Sequence, residues 1–234
     1  MRKLALVSLL TLLFFTVAAY ADTLYFYGGD MDPNDPNSRA LANENDTTVS
    51  GDPYGAATFQ NFYAQSSITV TGLFTNNLSS NTPTSGYWEI RTGMSENNGG
   101  TLIASGTGAV SNDPTGRSRA GYTEYHNQVS VNVDLGAGQY WFAVVPACPT
   151  CDGRTFNSNT FGLNSVGKSD SDLQFVNSAY FGWDYINANE AAPPYVFPNF
   201  SNGVYVSDVP EPGSLVLLGT GILGGLGALR RKLF

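Results

Sequence analysis

The hydrophobic and polar positions of this chain divide it into a long body between two apolar ends. Within the body, short stretches of alternating apolar and polar residues are separated by Gly, Asn, Asp and Pro. Residues 129–135 are the clearest case, because apolar side chains alternate there with Ser130, Asn132 and Asp134. A period of two predicts a half-buried β-strand, and no part of the body keeps the 3.6-residue period of a substantial helix.

The same pattern predicts further strands at residues 67–74, 87–91, 101–105, 139–145, 181–185 and 204–206. A Gly-Ala-Gly turn at 136–138 is expected to join 129–135 and 139–145 into a hairpin. Residues 139–145 are apolar on both faces, as in a central strand. Many short strands between turns predict an all-β fold, an antiparallel β-sandwich of jelly-roll-like form.

The composition supports this assignment. Thirteen Tyr, fourteen Phe and twenty-six Gly favour strands joined by tight turns. Alternation places Trp88 and Ile90 on one face of their strand and Glu89 and Arg91 on the other. Residues 22–208 are long enough to form one domain with its own core.

The N-terminal end has the parts of a secretory signal peptide. Arg2 and Lys3 form a basic start, residues 4–18 carry no charge, and small residues occupy the two recognition positions before Asp22. Signal peptidase is therefore expected to remove residues 1–21.

The C-terminal end has three parts in a fixed order. They are the motif Val209, Pro210, Glu211, Pro212, an uncharged apolar run over 215–229, and the basic cluster Arg230, Arg231, Lys232. A helix over 215–229 is about 22 Å long, which is short for an untilted membrane span, but basic side chains can snorkel to the inner surface. The positive-inside rule then places the body outside the cytoplasmic membrane. We expect residues 209–234 to contain a transmembrane helix.

This order of parts closely resembles the PEP-CTERM sorting signal of exported bacterial proteins, a segment also labelled an ice-binding protein C-terminal domain. The resemblance implies transient anchoring in the inner membrane and processing by an exosortase-like enzyme. It also implies a destination in the cell envelope, at the outer surface or in the extracellular matrix, with exopolysaccharide as a partner. The ice-binding label does not extend to the body, which lacks a repeated array of triplets such as the one at 69–71.

The body itself resembles β-sandwich ectodomains of the choice-of-anchor type over residues 56–206. The segments that carry this resemblance are FQNFYAQSSITVTGLFTNN, GYWEIRTGMSENNGGTLIASGTG and VNVDLGAGQYWFAVVPA. Such domains precede several bacterial surface anchors and share no established activity. The resemblance therefore implies a fold and a location, but no catalytic residues.

The charge of the body excludes one class of partner. Five of the eleven Lys and Arg residues lie in the two terminal segments, which leaves six against nineteen Asp and Glu, a net charge of −13 between Asp22 and Glu211. A surface of this sign repels nucleic acid, so nucleic-acid binding is not expected.

A catalytic site is hard to assemble from these residues. His126 is the only histidine, no Gly-x-Ser-x-Gly motif accompanies it, and we expect it on an exposed loop or edge strand. Two carboxylates could meet across a sheet, as glycoside hydrolysis requires, but nineteen acidic residues make this alternative uninformative. The interpretation is that the protein is not an enzyme.

Two cysteines, Cys148 and Cys151, are separated by two residues on a loop after the strand predicted at 139–145. Export places them in an oxidising compartment, so a local disulfide is expected, and a redox dithiol is the alternative. A zinc site is disfavoured because no second pair of ligands accompanies them.

An acidic stretch near the start of the body offers a metal hypothesis. Asp30, Asp32 and Asn34 place oxygen atoms at alternate positions, as calcium loops do, although Asp35 and Leu41 break the EF-hand pattern. A calcium site of another type is one interpretation, and no other cofactor is expected. A solvated turn rich in Asx and Pro is the alternative.

A cluster of aromatic residues offers a glycan hypothesis. Tyr180, Trp183 and Tyr185, with Tyr195 farther along, lie close to Asp184, Asn187 and Asn189 in the sequence, and the first three are the candidate glycan contacts. Exposed rings could stack on sugars while polar neighbours bond the hydroxyl groups; the alternative is that these rings fill the core. Two functions therefore remain open: a non-catalytic structural or adhesive protein of the envelope or matrix, and a glycan-binding module or unrecognised glycan hydrolase.

Overall fold

The computed structural model describes residues 22–45, 55–80, 82–147, 154–170 and 173–207, and the structural statements below concern these residues. They form thirteen strands: β1 (Asp22–Tyr27), β2 (Ala40–Ala42), β3 (Ala57–Ala64), β4 (Ile68–Ser79), β5 (Ser85–Thr92), β6 (Thr101–Arg119), β7 (Tyr122–Leu135), β8 (Gly138–Ala147), β9 (Thr155–Thr160), β10 (Phe175–Ser178), β11 (Trp183–Asn187), β12 (Asn199–Phe200) and β13 (Asn202–Ser207). The one helix within these ranges, α1 (Ala188–Ala191), is a single turn. The predicted all-β, antiparallel class is confirmed.

Hydrogen bonds link the strands in the order β1-β13-β4-β7-β6-β5-β8-β3-β10-β11, and β9 pairs with β2, β4 and β12. The long strand β6 connects two layers, because residues 101–109 pair with β5 and residues 110–119 pair with β7. One layer contains β1, β13, β4, β7 and the second half of β6. The other contains the first half of β6, β5, β8, β3, β10 and β11.

The main core lies between the two layers, because its buried side chains come from both. Phe62 of β3 and Phe142 of β8 pack with Leu73 of β4 and Val129 of β7. The rings of Phe62 and Phe142 meet edge to face, with centroids 5.7 Å apart. Burial of each such side chain contributes roughly 2–3 kcal/mol, so this interlayer contact stabilises the association of the two layers.

Strand β8 is buried on both faces, as predicted for 139–145. Phe142 and Val144 face the main core. Trp141 and Val145 face a second cluster, which includes Phe175 of β10. A strand with neighbours on both edges and apolar contacts on both faces needs the continuous apolar run that its sequence contains.

The predicted hairpin between 129–135 and 139–145 is wrong. β7 pairs with β4 and β6, whereas β8 pairs with β3 and β5, so the two strands lie in different layers. Both strands contribute side chains to the main core, and they therefore face each other across it. The turn at Gly136 is an arch between layers, and the hydroxyl of Tyr140 closes it by donating to the Gly136 carbonyl at 3.1 Å.

The other predicted strands overlap observed ones with different bounds. Trp88 and Ile90 of β5 both pack in the main core, as predicted. Glu89 points to the opposite face, where it accepts hydrogen bonds from Tyr87 and Arg91. The strand predicted at 181–185 begins two residues later, since the chain turns at Gly182, where φ is +69°.

Candidate functional site

Three aromatic side chains form a ledge at the turn between β10 and β11. Trp183 is only partly exposed and packs against a buried cluster that includes Phe197 and Phe200. Tyr180 is 60% exposed and Phe181 is 39% exposed. The rings of Phe181 and Trp183 are stacked, with centroids 4.5 Å apart and an interplanar angle of 24°. Tyr180 meets Phe181 edge to face at 4.9 Å. We call Tyr180, Phe181 and Trp183 the aromatic ledge; Tyr180 and Phe181 are its exposed rings.

Polar contacts hold the ledge in place. The Ser178 hydroxyl donates to the Gly55 carbonyl at 2.6 Å and accepts from the Phe181 N–H at 3.2 Å. The Arg154 guanidinium lies about 6 Å from the Tyr180 and Phe181 ring centres, at 6.0 and 5.9 Å. Its Nε is 2.6 Å from a carboxylate oxygen of Glu44. The Ser178 hydrogen bonds therefore fix the backbone of the ledge, and Arg154 places a positive charge beside its rings.

Tyr185 lies apart from the ledge. Its ring packs against Phe59 at 5.7 Å within the second cluster, and the Arg91 guanidinium lies 5.3 Å from its centre. Of the three residues predicted to contact glycans, the structure places Tyr180 and Trp183 on one surface and packs Tyr185 against the fold. Phe181 was missed, although the run of aromatics around Gly182 was a signal for it.

The acidic stretch lies in a groove of about 330 Å³ lined by Asp30, Asp32, Asp35, Phe161, Gly162 and Leu163. The Asp30 carboxylate accepts hydrogen bonds from the Tyr27 hydroxyl at 2.6 Å, from Arg117 at 2.7 Å and from Asn164 at 2.7 Å. Burial would raise the pKa of Asp30, but these donors and the Arg117 charge outweigh it and hold the pKa below its usual value.

The calcium hypothesis stays a prediction. Asp32 uses its carboxylate to accept from the Asn34 N–H at 2.9 Å, which is an Asx turn, and Asp30 is bonded to protein donors. Within the described ranges, no group of three or more His, Cys, Asp or Glu side chains is placed to hold a metal ion. The structure thus brings Asp30 and Asp32 to one groove and gives their oxygens partners within the protein.

Arg117 of β6 connects two carboxylates on the outer face of its layer. Its Nε lies 2.5 Å from Glu124, which is fully buried, and its Nη1 lies 2.7 Å from Asp30. Thr115 also donates to Glu124, at 2.7 Å. Burial would lower the pKa of Arg117, but the two carboxylates raise it above its usual value. The arrangement neutralises a buried acid and leaves both carboxylates held by the same cation.

His126 lies on β7, between β4 and β6, so the expectation of an exposed loop or edge position is wrong. Its Nδ1 is 3.0 Å from the Asn76 amide oxygen. The amide nitrogen of Asn76 donates to Tyr27 at 3.0 Å and to Ser201 at 2.9 Å. The serine hydroxyl and the imidazole therefore bond opposite ends of one amide, which is a structural arrangement and not that of a nucleophile and its base.

Several predicted features lie outside the described residues. They are the signal peptide at 1–21, the cysteines Cys148 and Cys151, and the tail at 209–234 with its apolar run at 215–229. In the part of the chain that the structure describes, no helix is both long and apolar enough to cross a membrane.

Comparison with known proteins adds one structural likeness. No curated protein matches the chain. Among solved structures, the cysteine protease and lectin-like domains of Cwp84, a surface layer associated protein of Clostridium difficile, are similar at 14% identity with a TM-score of 0.38. The match covers 75% of this chain and 37% of that one, so the chain spans little more than a third of that structure.

The tail gives the more informative match. The family model for the PEP-CTERM protein-sorting motif matches residues 208–232, which include Pro210, Glu211, Pro212 and the basic cluster. The resemblance predicted for this segment is therefore confirmed. A motif of this kind is a sorting signal processed by exosortase, and it indicates export to the cell envelope. The chain carries a PEP-CTERM protein-sorting motif at residues 208–232.

Proposed function

We propose that this protein is an exported, non-catalytic component of the cell envelope or extracellular matrix, where its β-sandwich acts as a structural or adhesive module. The observation that carries the proposal is the sorting motif at 208–232. In this scheme signal peptidase removes residues 1–21, and the helix at 215–229 holds the protein transiently in the inner membrane. An exosortase-like enzyme then processes the tail.

The polar groups of the body support a non-catalytic role. The only histidine is bonded to Asn76 and packed against Phe74. Asp30 and Glu124, two acids that lie near each other, are both bound by Arg117. A general acid and base for glycoside hydrolysis need room for substrate between two available carboxylates, and this cation occupies that space.

A rigid interior also suits a structural module. Three asparagines are fully buried: Asn43 in the loop after β2, Asn77 on β4 and Asn157 on β9. Each forms hydrogen bonds to other elements. The Asn43 amide donates to the Val144 carbonyl at 2.9 Å, and that of Asn157 donates to Thr58 at 2.6 Å. Buried side-chain amides with satisfied donors fix the relative positions of strands, since every slip breaks several hydrogen bonds.

Fractionation of cells that produce the full chain tests the proposal. Replacing Pro210, Glu211 and Pro212 together by Ala should trap folded protein in the membrane, because the apolar run and its basic flank still insert. Deleting 215–234 is the matched variant and should release the protein past the membrane instead. The sorting assignment fails if the triple-Ala variant matures and distributes as the parent does.

The second candidate function is glycan binding, and the aromatic ledge is the observation that favours it. Its stacked rings can pack against the apolar faces of sugars. The Arg154 guanidinium beside them supplies donors for hydroxyl or carboxylate groups of an exopolysaccharide.

A polysaccharide panel distinguishes the two candidates. Matured protein from the envelope fraction is incubated with each polymer, and both retention and release of reducing ends are measured. Binding that falls at least tenfold in Tyr180→Ala/Phe181→Ala supports the glycan function. Tyr195→Ala is the matched control, because that ring is 42% exposed outside the ledge. Release of reducing ends by the parent contradicts the non-catalytic assignment.

A further inference from the structure

The groove at the acidic stretch has an apolar wall as well as an acidic one. Phe161 and Leu163 line it, and they are 51% and 53% exposed. We call these two residues the apolar wall, and Asp32 and Asp35 the acidic wall. Half-exposed apolar side chains beside a concave surface of about 330 Å³ are typical of a ligand site.

Backbone hydrogen bonds hold the apolar wall in place. The Leu163 carbonyl accepts from the Asp30 N–H at 2.7 Å, which ties the wall to the acidic stretch. The Gly162 N–H donates to the Thr160 hydroxyl at 3.0 Å, and the Gly162 carbonyl accepts from the Ser165 N–H at 3.1 Å. Gly162 has a φ of +88°, a conformation that favours glycine. The turn therefore fixes both residues of the apolar wall at the side of the groove.

The acidic wall offers hydrogen-bond acceptors. The Asp32 Oδ1 atom accepts from the Asn34 N–H at 2.9 Å. The Asp35 Oδ1 atom accepts from the Asn37 N–H at 2.8 Å. Among the described residues, the Oδ2 atoms of these two aspartates have no hydrogen-bond partner. An ionised carboxylate can only accept, so a ligand of this wall must supply donors.

No arginine or lysine of the described residues pairs with the acidic wall. Arg117 binds two other carboxylates. Arg39 and Arg119 donate to backbone carbonyls of the loop that carries the wall. These three guanidinium groups reduce the negative potential of the loop but form no ion pair with Asp32 or Asp35. In a body with a net charge of −13, a positively charged ligand is the electrostatic complement of this wall.

We propose that this groove binds a sugar that carries an ammonium group, within a polysaccharide built of amino sugars. The ammonium and neighbouring hydroxyl groups donate to Asp32 and Asp35, and hydrogen bonds to ionised acceptors are about twice as strong as neutral ones. The apolar face of the sugar ring packs on Phe161. The site goes beyond the proposed function, because it shares no residue with the aromatic ledge and depends neither on sorting nor on glycan binding at the ledge.

An amino sugar fits the two walls better than a basic peptide does. A lysine side chain brings one ammonium group on a flexible stem, and ordering that stem costs rotamer entropy. A sugar ring is rigid and carries several donors around one apolar face, so a single unit reaches both walls. Anionic polymers are repelled by the acidic body.

Titration with three soluble probes tests the proposal. The full-length chain in detergent is titrated calorimetrically with a short glucosamine oligomer, with its N-acetylated counterpart and with a lysine oligomer. The buffer is slightly acidic, so that the sugar amines are protonated, and the full chain makes the result independent of tail processing. The glucosamine oligomer should bind at least about fivefold more tightly than either other probe. Equal binding of the N-acetylated oligomer would contradict the role of the charge, and equal binding of the lysine oligomer would contradict the sugar.

Two groove variants and a matched control locate the site. Asp32→Asn/Asp35→Asn removes both charges but keeps the Asx turns, and Phe161→Ser removes the ring. Each should weaken glucosamine binding at least about fivefold. Asp113→Asn/Asp134→Asn is the control, because it removes the same charge from two exposed acids that do not line the groove. It should bind as the parent does.

The ledge variant Tyr180→Ala/Phe181→Ala separates this site from the ledge. It should bind the glucosamine oligomer normally, and a loss there would assign the binding to the ledge and overturn the proposal. Thermal unfolding shows which variants remain folded. The proposal is also overturned if the parent does not bind the glucosamine oligomer, or if the folded groove variants bind it as the parent does.

Discussion

The imidazole of His126 lies against the ring of Phe74, with centroids 4.3 Å apart, on the neighbouring strands β7 and β4. Burial lowers the pKa of His126, and the Arg117 charge lowers it further. The hydrogen bond to Gln128 and the charges of Asp113 and Glu124 act in the opposite direction without reversing the shift. The folded protein therefore disfavours protonation of this histidine.

A half-buried histidine that resists protonation makes stability depend on pH in a defined direction. In the unfolded chain the histidine binds a proton near pH 6.5, whereas in the folded protein it resists protonation. Its contribution is therefore fully present above pH 6.5 and is lost as the pH falls below that value. His126→Gln should lose less stability than the parent between pH 7 and pH 5 in urea unfolding. Equal losses would show that the imidazole is not the group responsible.

Arg117 should contribute more to stability than an arginine that bonds only uncharged groups. Glu124 is fully buried, and Arg117→Gln removes the cation that compensates it, with an expected cost of about 3 kcal/mol. Arg119→Gln is the control, because Arg119 donates to uncharged acceptors, the carbonyls of Pro33 and Asp35. Chemical denaturation at pH 7 measures both variants. If the two losses are equal, the buried ion pair contributes no special stability.

Hydrophobic alternation predicted strands only where the inward residues are apolar. β9 (Thr155–Thr160) was missed because its buried positions hold Asn157, Ser158 and Asn159. The Asn157 amide nitrogen donates to Thr58 at 2.6 Å and to Asn202 at 2.9 Å. A polar interior of this kind resembles a loop in the sequence, and only the three-dimensional partners reveal it as core.

The candidate site was predictable only in part, because local sequence does not show which side chains the fold exposes. The sequence placed Tyr180 and Trp183 near each other, but exposure depends on where the turn falls. The chain turns at Gly182, which leaves Phe181 stacked on Trp183, while Tyr185 follows in β11 and packs against Phe59. The position of His126 within the sheet depends on β4 pairing with β7, a long-range contact that no local pattern contains.

Gly203 should be intolerant of any side chain. It lies opposite Phe74 on the neighbouring strand, and a Cβ atom there would come 2.2 Å from the Phe74 ring and 2.8 Å from the Phe26 carbonyl. Gly203→Ala should therefore cost about 3 kcal/mol through overpacking. Gly136→Ala is the control, because nothing lies within 4 Å of the added atom, and its effect should stay within about 0.5 kcal/mol. Thermal unfolding compares them, and similar melting temperatures would contradict the packing at Gly203.

The predicted disulfide between Cys148 and Cys151 lies in a segment outside the described residues, between the end of β8 at Ala147 and the start of β9 at Thr155. A bridge between residues three apart closes a very short loop. It therefore reduces the entropy of the unfolded chain only slightly, and this stabilises the folded protein by about 2 kcal/mol at most. Cys148→Ser/Cys151→Ser should therefore fold and lose no more than that amount. Alkylation of native protein before and after reduction, read by mass spectrometry, should label neither cysteine before reduction and both after it. Rapid labelling of freshly isolated protein without reductant would instead favour the redox dithiol.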